Sequence, residues 1–484
     1  MARPPYAPPP KNRPPGARPH AGAPPARPAA DGARPPRDRP RTDGPRPDTR
    51  PDRRRPTARD ASPLPEHLPR YPGAVTLVLR AGTATPILAG HPWIFSGAIA
   101  HVVPPQGVEL YAGMPCAVLD PHGRFLGHGT YNPASQIAIR VVEAGLDGLE
   151  PLALPTAADL VRDRLQRAVD LRRGLGLPSA ETTAYRLVNS EGDGLPGLTV
   201  DRYGDGAVAV ASTAGAWLWL PHVVKTLREL HGCTWVVTRV PQDVHSAEGL
   251  TAGLSQDHGD VPSQVQVLHN GLRLRVEPAG GQKTGMYLDQ RDNHKLAATF
   301  AAGRFVLDAY SHAGSFGLHA ARAGASKVIC VDASQRAVDL ALQHAIDNNV
   351  QHMEAMAADA VHVLGHYATL PPEDQDGRPG LVIVDPPKFA TKAAALEQAI
   401  RKYTHVNTLA MQAVQEGGYL VTCSCSGLVD RTAFLRVLGQ AAHNAGRAVQ
   451  LLELRGAAMD HPVAPAHGEA QYLKVAFCRI VPRG

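Results

Sequence analysis

The chain has 484 residues, and at roughly 150 residues per domain this length predicts about three domains. Its net charge of +6 is uneven, because residues 1–60 hold 15 of the 50 basic side chains but 6 of the 44 acidic ones, which leaves the rest slightly acidic. The lack of a long apolar run, of a signal-like segment and of a dense cysteine pattern excludes a spanning helix, a secretory signal and a disulfide scaffold, so we expect a cytoplasmic protein.

Residues 1–70 are rich in Pro, Arg, Ala and Gly, and no Val, Ile, Leu, Phe, Trp or Cys occurs before residue 61. Such a segment cannot bury enough apolar area to offset the entropy lost on ordering, so we expect a disordered tail. Its arginines either contact RNA phosphates or only keep the chain in solution, and the sequence leaves both interpretations open.

Residues 71–146 predict a small all-β domain, because short alternating segments are broken by Gly and Pro at 75–79, 115–119, 125–129 and 137–142. Residues 147–262 predict an α+β domain. Its first helix begins at Thr156, and we expect Arg162, Arg164 and Arg167 on a solvated face of that helix. The remaining elements are strands at 185–188, 198–202, 207–212 and 234–239 and a helix at 218–230.

Residues 263–484 alternate strands with helices, which predicts a doubly wound, mostly parallel, Rossmann-like α/β sheet. A hairpin turned by Asn270 and Gly271 leads into it. Strands are predicted at 305–307, 328–331, 354–358, 381–384, 419–422, 451–454 and 472–480, and helices at 315–323, 334–348, 392–415 and 431–445.

Ligands of such sheets bind beyond the carboxyl ends of the strands, so the residues that follow each strand are candidates for a site. Acidic residues follow the first four strands: Asp308, Asp332, Asp359 and Asp385. A carboxylate that closes the second strand is placed to bind both ribose hydroxyls of a nucleoside. Gly314 lets the main chain approach a ligand closely, and the helix that begins near Ser315 offers N–H donors.

The loop after the first strand also distinguishes between nucleoside cofactors. It has one glycine where a dinucleotide-binding loop has three, so a pyrophosphate would meet side chains. S-adenosylmethionine has a ribose and an adenine but no phosphate, and is therefore the expected cofactor. Tyr310, Ser315 and Phe316 of this loop are further candidates for binding it.

Asp385-Pro386-Pro387-Lys388 follows the fourth strand and matches the pattern in which methyltransferases hold polar groups against a flipped base with a rigid Pro-Pro turn.

Cys423 and Cys425 follow the fifth strand, where a thiolate suits methylation of cytosine C5. That carbon becomes nucleophilic only after a thiolate adds to C6. The alternative interpretation is that both cysteines are small buried residues.

These motifs resemble the bacterial large-subunit ribosomal RNA cytosine-C5 methyltransferases that carry an N-terminal PUA domain. The resemblance covers about residues 73–484 and rests on the segments 91–97, 133–137, 191–197, 281–291, 385–389, 424–426, 460–462 and 472–474. It implies that the β domain is a PUA domain, a fold that docks on structured RNA.

The resemblance also implies roles for individual residues. Those expected to contact S-adenosylmethionine are Gln290, Asp308, Gly314, Asp332, Asp359 and Asp385. It implies a thiolate nucleophile, and alignment with the Thr-Cys-Ser of RNA cytosine methyltransferases selects Cys425 over Cys423. Lys388 stands where the wider group has a second cysteine that assists elimination, so the acceptor of the C5 proton is open among Lys388, Asp385 and a water.

The leading hypothesis is therefore an enzyme that makes 5-methylcytosine in large-subunit ribosomal RNA. One alternative is an RNA purine-nitrogen methyltransferase, which needs no cysteine, and another is a non-catalytic ribosome-assembly protein that binds RNA. Ribosomal RNA is the expected partner, and the sequence leaves a homodimer open. We expect neither a membrane partner nor a metal, because the 22 histidines are not spaced along the chain as ligands.

Overall fold

The computed structural model describes residues 64–65, 68–145, 151–250, 255–280, 284–371, 373–390 and 392–483. Residues 1–63 and 66–67 of the predicted tail, and residues 281–283 of the 281–291 motif, lie outside the described residues. At the end of the tail, Leu68 packs with Tyr71 against buried Leu119 and Phe125. No helix in the described ranges is long and apolar enough to cross a membrane.

The first sheet has six strands in the order β2-β6-β5-β4-β1-β3, and β1 pairs with β4 in parallel. Val75, Leu77 and Leu79 alternate along β1 and face its buried core. The short elements α1, β2 and β3 lie in a Gly- and Pro-interrupted stretch and were not predicted. The bounds are β1 (Val75–Leu79), α1 (Thr85–Leu88), β2 (Trp93–Ile94), β3 (Ile99–Val103), β4 (Met114–Leu119), β5 (Phe125–Tyr131) and β6 (Ile139–Ala144).

The second sheet has five strands in the order β11-β10-β9-β8-β7, and helices α2 and α3 pack on one of its faces. The Thr156 hydroxyl caps α2 by accepting a 3.1 Å hydrogen bond from the Asp159 N–H. The bounds are α2 (Ala157–Gly174), β7 (Ala184–Asn189), β8 (Leu198–Tyr203), β9 (Gly206–Ala211), α3 (Ala214–Glu229), β10 (Trp235–Arg239), α4 (Gln242–Glu248) and β11 (Gln256–His258).

The solvated arginine face expected on α2 is wrong for one of its three members. Arg162 and Arg167 are exposed, but Arg164 is buried and its Nη2 lies 2.5 Å from Oε2 of Glu143 at the end of β6. The carboxylate belongs to the first sheet, so nothing in the helical pattern itself could reveal this partner.

A two-stranded hairpin and a seven-stranded sheet complete the fold. The sheet order is β16-β15-β14-β17-β18-β20-β19, with β14 to β18 parallel and β20 antiparallel to both neighbours, which confirms the doubly wound α/β prediction. The bounds are β12 (Val265–His269), β13 (Leu272–Val276), α5 (Arg291–Ala298), β14 (Phe305–Ala309), α6 (Ser315–Arg322), β15 (Lys327–Asp332), α7 (Gln335–Asp347), β16 (Met353–Ala357), α8 (Ala360–Ala368), β17 (Leu381–Val384), α9 (Leu396–Ala413), β18 (Tyr419–Ser424), α10 (Arg431–Ala445), β19 (Arg447–Arg455) and β20 (Lys474–Pro482).

The seven-stranded sheet is buried on both faces, as a parallel sheet requires. Val306 and Ile383 face one apolar cluster, whereas Leu307 and Val382 face the other. The first cluster extends into the second sheet through Tyr203 and Trp235. One apolar core is therefore shared by the second sheet and the seven-stranded sheet.

Candidate active site

The carboxyl ends of four neighbouring strands, β15, β14, β17 and β18, lie along the edge of the sheet where its strand order reverses. Ala309 of β14 pairs with Val331 of β15 on one side and with Val384 of β17 on the other, and Val384 pairs with Thr422 of β18. The candidate residues that end or follow these strands therefore lie side by side along one edge: Asp308, Tyr310, Asp332, Asp385, Cys423 and Cys425. A crevice at such a reversal is where ligands of open α/β sheets bind.

Asp308 lies inside β14 rather than after it, and its carboxyl group is fully buried. One oxygen, Oδ2, accepts a 2.8 Å hydrogen bond from the Gly317 N–H, while Oδ1 has no partner among the described residues. Burial, together with the charges of Asp385 and Asp332, raises the pKa of Asp308 to about 7. A buried acidic oxygen without a partner indicates a place for a donor from a ligand.

The loop from β14 to α6 is held by Asp332, which ends β15. Its Oδ2 accepts a 2.9 Å hydrogen bond from the His312 N–H, and its Oδ1 accepts one of 2.9 Å from the Ser334 N–H. Tyr310, His312 and Gly314 all have positive φ. At Gly314 a Cβ atom would lie 2.8 Å from side-chain atoms of α7 and β16, so glycine is needed there for packing of the loop as well as for its φ of 74°.

The other four residues predicted to bind the cofactor lie in different surroundings. Tyr310 is half-buried at the sheet edge, and burial raises its pKa to about 12. The Ser315 carbonyl accepts a 2.7 Å hydrogen bond from Nδ1 of His319, and the Phe316 ring packs in the core. Asp359 is exposed and caps α8, where its Oδ1 accepts a 2.7 Å hydrogen bond from the Val361 N–H.

Gln290 connects the segment before the sheet to the site. Its Nε2 donates a 3.0 Å hydrogen bond to Oδ2 of Asp385 and lies 3.4 Å from Sγ of Cys423. Its Oε1 accepts a 2.7 Å hydrogen bond from Nδ2 of Asn293, which fixes the orientation of the amide. The side-chain position of Asp385 is therefore set by a buried amide from outside the sheet.

The two candidate thiols differ in their surroundings. Cys423 is fully buried in β18, and burial together with the charge of Asp385 raises its thiol pKa well above the ordinary value. Cys425 follows the last residue of β18 and is half-buried, whereas the other five cysteines of the chain are all buried. Lys388 is exposed in the turn after β17.

Tyr287 is a residue of this site for which no role was predicted. Its ring meets the His312 ring edge-on at 5.2 Å between centroids. Burial raises its pKa, and the charges that act on it include Asp385, Cys425 and Asp332. Tyr287 is therefore within electrostatic reach of both the acidic residues of the sheet edge and the half-buried thiol. Its place in the 281–291 motif was the available signal.

A second group of side chains lies apart from the thiols. The ring nitrogens of His269, His294 and His319 lie within 4.8 Å of one another, and all three rings are buried. Burial lowers the pKa of each ring, so the three histidines are neutral near pH 7. They are one group of described residues that could hold a metal ion, although Nδ1 of His319 already donates to a carbonyl. Long stretches of chain separate the three histidines, so their spacing along the chain does not reveal the group.

The chemistry of the sheet edge fits S-adenosylmethionine. Asp308, Asp332 and Asp385 place three carboxyl groups where a ligand with an ammonium and a sulfonium charge would bind, and the unpartnered Oδ1 of Asp308 is an acceptor for a ligand N–H. Asp332, at the end of β15, is the acidic residue predicted to bind the ribose hydroxyls.

Comparison with known proteins identifies two regions of the chain. Residues 77–143 match a PUA-like domain, and residues 253–469 match the S-adenosylmethionine-dependent methyltransferase family. Two solved structures cover 84% of this chain, and it covers 99% of each. One is a SAM-dependent methyltransferase from Streptococcus mutans (TM-score 0.68, 19% identity), and the other is a methyltransferase crystallised with SAH (0.69, 20%). At this identity they show the fold alone.

Closer relatives carry one shared name, "Ribosomal RNA large subunit methyltransferase I". The protein from Shewanella denitrificans is 37% identical over 423 residues, which cover 84% of this chain and 100% of the relative. The one from Aeromonas salmonicida is 36% identical over 408 residues, which cover 83% and 98%. S-adenosylmethionine is thus the cofactor, and the chain belongs to the ribosomal RNA large subunit methyltransferase I family of S-adenosylmethionine-dependent methyltransferases.

Proposed function

We propose that the chain methylates C5 of a cytosine in large-subunit ribosomal RNA through a covalent bond between Cys425 and C6 of the base. The observation that carries this proposal is the position of Cys425. It is the half-buried thiol of the chain, and it follows the strand next to the one that presents Asp385. The name of the relatives supports ribosomal RNA as the substrate.

Asp308 and Asp332 are the residues that would hold the cofactor, and Gln290 would orient Asp385 beside it. When bound there, S-adenosylmethionine supplies an electrophilic methyl group. The turn after β17 begins with two prolines, Pro386 and Pro387, and this rigid turn would hold the target base.

The reaction that these residues would perform begins with the Cys425 thiolate. It adds to C6, and the electrons of the C5–C6 double bond shift to C5, which then accepts the methyl group. The C5 proton next leaves to one of three acceptors, Asp385, Lys388 or a water. The electrons of the C5–H bond restore the double bond, and the S–C6 bond breaks to return the thiolate.

The PUA-like sheet would bind structured RNA beside the site. The described part of the chain is not strongly basic, so the 15 basic residues among the first 60 would supply additional phosphate contacts. A cytoplasmic location, where ribosomal RNA is made in bacteria, is part of this proposal.

A transcript that carries 5-fluorocytidine tests the mechanism, because fluorine at C5 prevents elimination and traps the covalent adduct. We expect a denaturation-resistant protein–RNA complex with the wild-type chain and with Cys423→Ala, and none with Cys425→Ala. Turnover on unmodified RNA should fall at least about 1,000-fold in Cys425→Ala, as expected for loss of a nucleophile.

The same variants separate the alternatives. Retained turnover in both cysteine variants would contradict the cytosine mechanism and favour methylation of a purine nitrogen. A folded wild-type chain that binds RNA but shows no turnover on any large-subunit RNA would favour the non-catalytic assembly protein. Bisulfite sequencing of ribosomal RNA from cells with and without the protein would identify the modified cytosine.

A further inference from the structure

Lys474 is a buried lysine beside the half-buried thiol. It begins β20 and pairs in the ladder with Ser424, the last residue of β18. Its side chain is 2% exposed, and Nζ donates hydrogen bonds of 2.6 Å to the Ser426 carbonyl and 2.8 Å to the Tyr472 carbonyl. The ammonium group therefore holds the main chain at Ser426, the residue that follows Cys425.

The partners of Lys474 are unusual for a buried cation. In the described part of the chain, no carboxylate lies within ion-pair distance of Nζ, and both hydrogen bonds go to main-chain carbonyls. Lysines are rarely buried unless they are paired with an opposite charge. When Cys425 is ionised, its thiolate would be a negative charge that acts on this ammonium group.

The charges around the two groups agree with this pairing. Burial lowers the pKa of Lys474 to about 8, while Cys425 and Asp430 act to raise it and Lys388 acts to lower it. The charge of Cys425 also acts on Tyr287, Tyr403 and Cys423, none of which is a cation. Lys474 is thus a buried positive charge that acts together with this thiol.

We infer that Lys474 is a positioning residue for Cys425: its ammonium fixes the turn at Ser426 and stabilises the thiolate form of Cys425. This inference deepens the proposed function, because a stabilised thiolate is what addition to cytosine C6 requires. An opposite charge nearby increases the ionised fraction of a thiol, and only the ionised form is nucleophilic. The role is electrostatic and acts through Cys425, without contact with the base.

The test measures alkylation of Cys425 by iodoacetamide from pH 5.5 to 10, in the full-length chain without RNA. Mass spectrometry assigns the modified peptide, and Cys425→Ser serves as the blank. Because the other five cysteines are buried, reaction at Cys425 is expected to dominate in the folded protein. We expect Lys474→Met to move the pH midpoint upward by about one unit or more and to slow alkylation at pH 7 about tenfold.

Three further variants distinguish charge from packing. Lys474→Gln keeps a donor for the Ser426 carbonyl but no charge, so its midpoint should also rise, whereas Lys474→Arg should keep a midpoint near wild type. Lys225→Met, an exposed lysine on α3, is the matched control and should change nothing. If Lys474→Met does not fold, Lys474→Gln carries the test, with folding checked by circular dichroism.

A folded Lys474→Gln or Lys474→Met with an unchanged midpoint would overturn the inference and leave Lys474 a purely structural residue. The outcome is independent of the proposed reaction, because alkylation needs neither RNA nor cofactor. A normal 5-fluorocytidine complex with an unshifted midpoint would reject the role of Lys474 alone. A shifted midpoint without any RNA complex would reject the cytosine mechanism alone.

Discussion

At the scale of single residues, Cys423 and Cys425 show why the sequence alone could favour one thiol as the nucleophile but could not exclude the other. Side chains two apart on a strand share one face, which predicts the same surroundings for both. The ladder of β18 ends at Ser424, however, so Cys425 has left the strand while Cys423 remains in the core. A strand end that falls between the two residues is set by pairing with β20, and no local pattern reports it.

The ionisation of Asp308 predicts how the affinity for S-adenosylmethionine depends on pH. Because its pKa is raised to about 7, its carboxyl group is largely neutral at pH 6 and ionised at pH 8. The ionised form attracts the positive charges of S-adenosylmethionine, so affinity should rise as the pH rises through 7. Calorimetry should show that Asp308→Asn binds about tenfold more weakly at pH 8 and loses this pH dependence.

Asp339→Asn is the matched control for Asp308, because Asp339 is exposed on α7 and its Oδ1 accepts a hydrogen bond from Gln335 of the same helix. It should leave both the affinity and its pH dependence unchanged. Equal affinity of wild type and Asp308→Asn at pH 8 would show that the unpartnered oxygen does not face the cofactor.

At the scale of elements, three neutral histidines join the hairpin, α5 and α6. Their rings meet at centroid distances of 5.2 to 5.5 Å, and both ring nitrogens of His269 have no partner among the described residues. Buried neutral histidines must be charged when acid unfolds a protein. The contact between these three elements is therefore expected to weaken in mild acid.

The size of this effect follows from His319, whose pKa burial lowers to about 4. A folded-state pKa below the unfolded value of about 6.5 gives stability that is present above pH 6.5 and lost as the pH falls toward 4. Urea unfolding should show that His319 alone accounts for about 2 kcal/mol of stability lost between pH 7.5 and pH 5. In His319→Met that part of the loss should disappear.

The exposed His362 on α8 provides the control, since His362→Gln should leave the pH dependence of unfolding as it is in the wild type. If His319→Met loses stability in acid as steeply as wild type, the histidine group does not control this dependence.

The elements also show how much of the fold the sequence predicts. The bounds of β1, β17 and α10 agree with their predicted ranges, because strong apolar patterns and clear caps delimit them. Asp430 caps α10 by accepting a 2.7 Å hydrogen bond from the Ala433 N–H, and Gly446 ends it in the left-handed region. The two-residue strand β2 and the three-residue β11 have too few residues for any period, and only their sheet partners define them.

The residues of the candidate site also fall into those that the sequence predicts and those that it does not. The strand ends and their acidic residues were predictable from βαβ alternation, because parallel strands bring their carboxyl ends to one edge. Tyr287, Lys474 and the histidine group were not, because each depends on contacts between segments far apart in the chain. The burial of charged residues such as Arg164 is the hardest feature to predict from the sequence, because it depends on one partner from another sheet.

At the scale of the whole molecule, motifs from distant parts of the chain connect its sheets. Glu191 accepts hydrogen bonds of 2.8 Å from Nε1 of Trp93 and 3.2 Å from Nη1 of Arg140, both in the PUA-like sheet. The Trp93 ring also packs on the His467 ring at 4.3 Å, and the Arg140 guanidinium lies 4.8 Å from the Trp93 ring centroid. The segments 91–97 and 191–197 thus have a structural role in this protein.

A second connection is buried and charged. Arg172 of α2 is fully buried and donates to both carboxylate oxygens of Asp193 at 2.5 and 2.8 Å and to the Asp460 carbonyl at 2.6 Å. Asp460 also accepts a 2.7 Å hydrogen bond from Nη1 of Arg291. Helix α2 is therefore tied to the loop that precedes β20.

Loss of one partner in such a group leaves an uncompensated buried charge. We expect Arg172→Met to reduce the free energy of unfolding by about 3 to 5 kcal/mol, measured by urea titration at pH 7.5. Arg401→Met breaks an exposed ion pair with Glu397 on α9 and should cost no more than about 1 kcal/mol. Equal losses in the two variants would mean that the buried group adds nothing beyond a surface pair.

The contact of Glu191 with Trp93 and Arg140 has a consequence for substrate selection. Two RNA-binding modules joined by a flexible hinge can bind RNAs of many shapes. Two modules held together by direct contacts keep one fixed distance between their binding sites. If the PUA-like sheet binds one RNA element while Cys425 reacts with a base in another, the protein fixes the distance between the two RNA elements. Only an RNA whose own folding presents both features at that spacing would be modified, so selectivity would reside in tertiary shape more than in local base order.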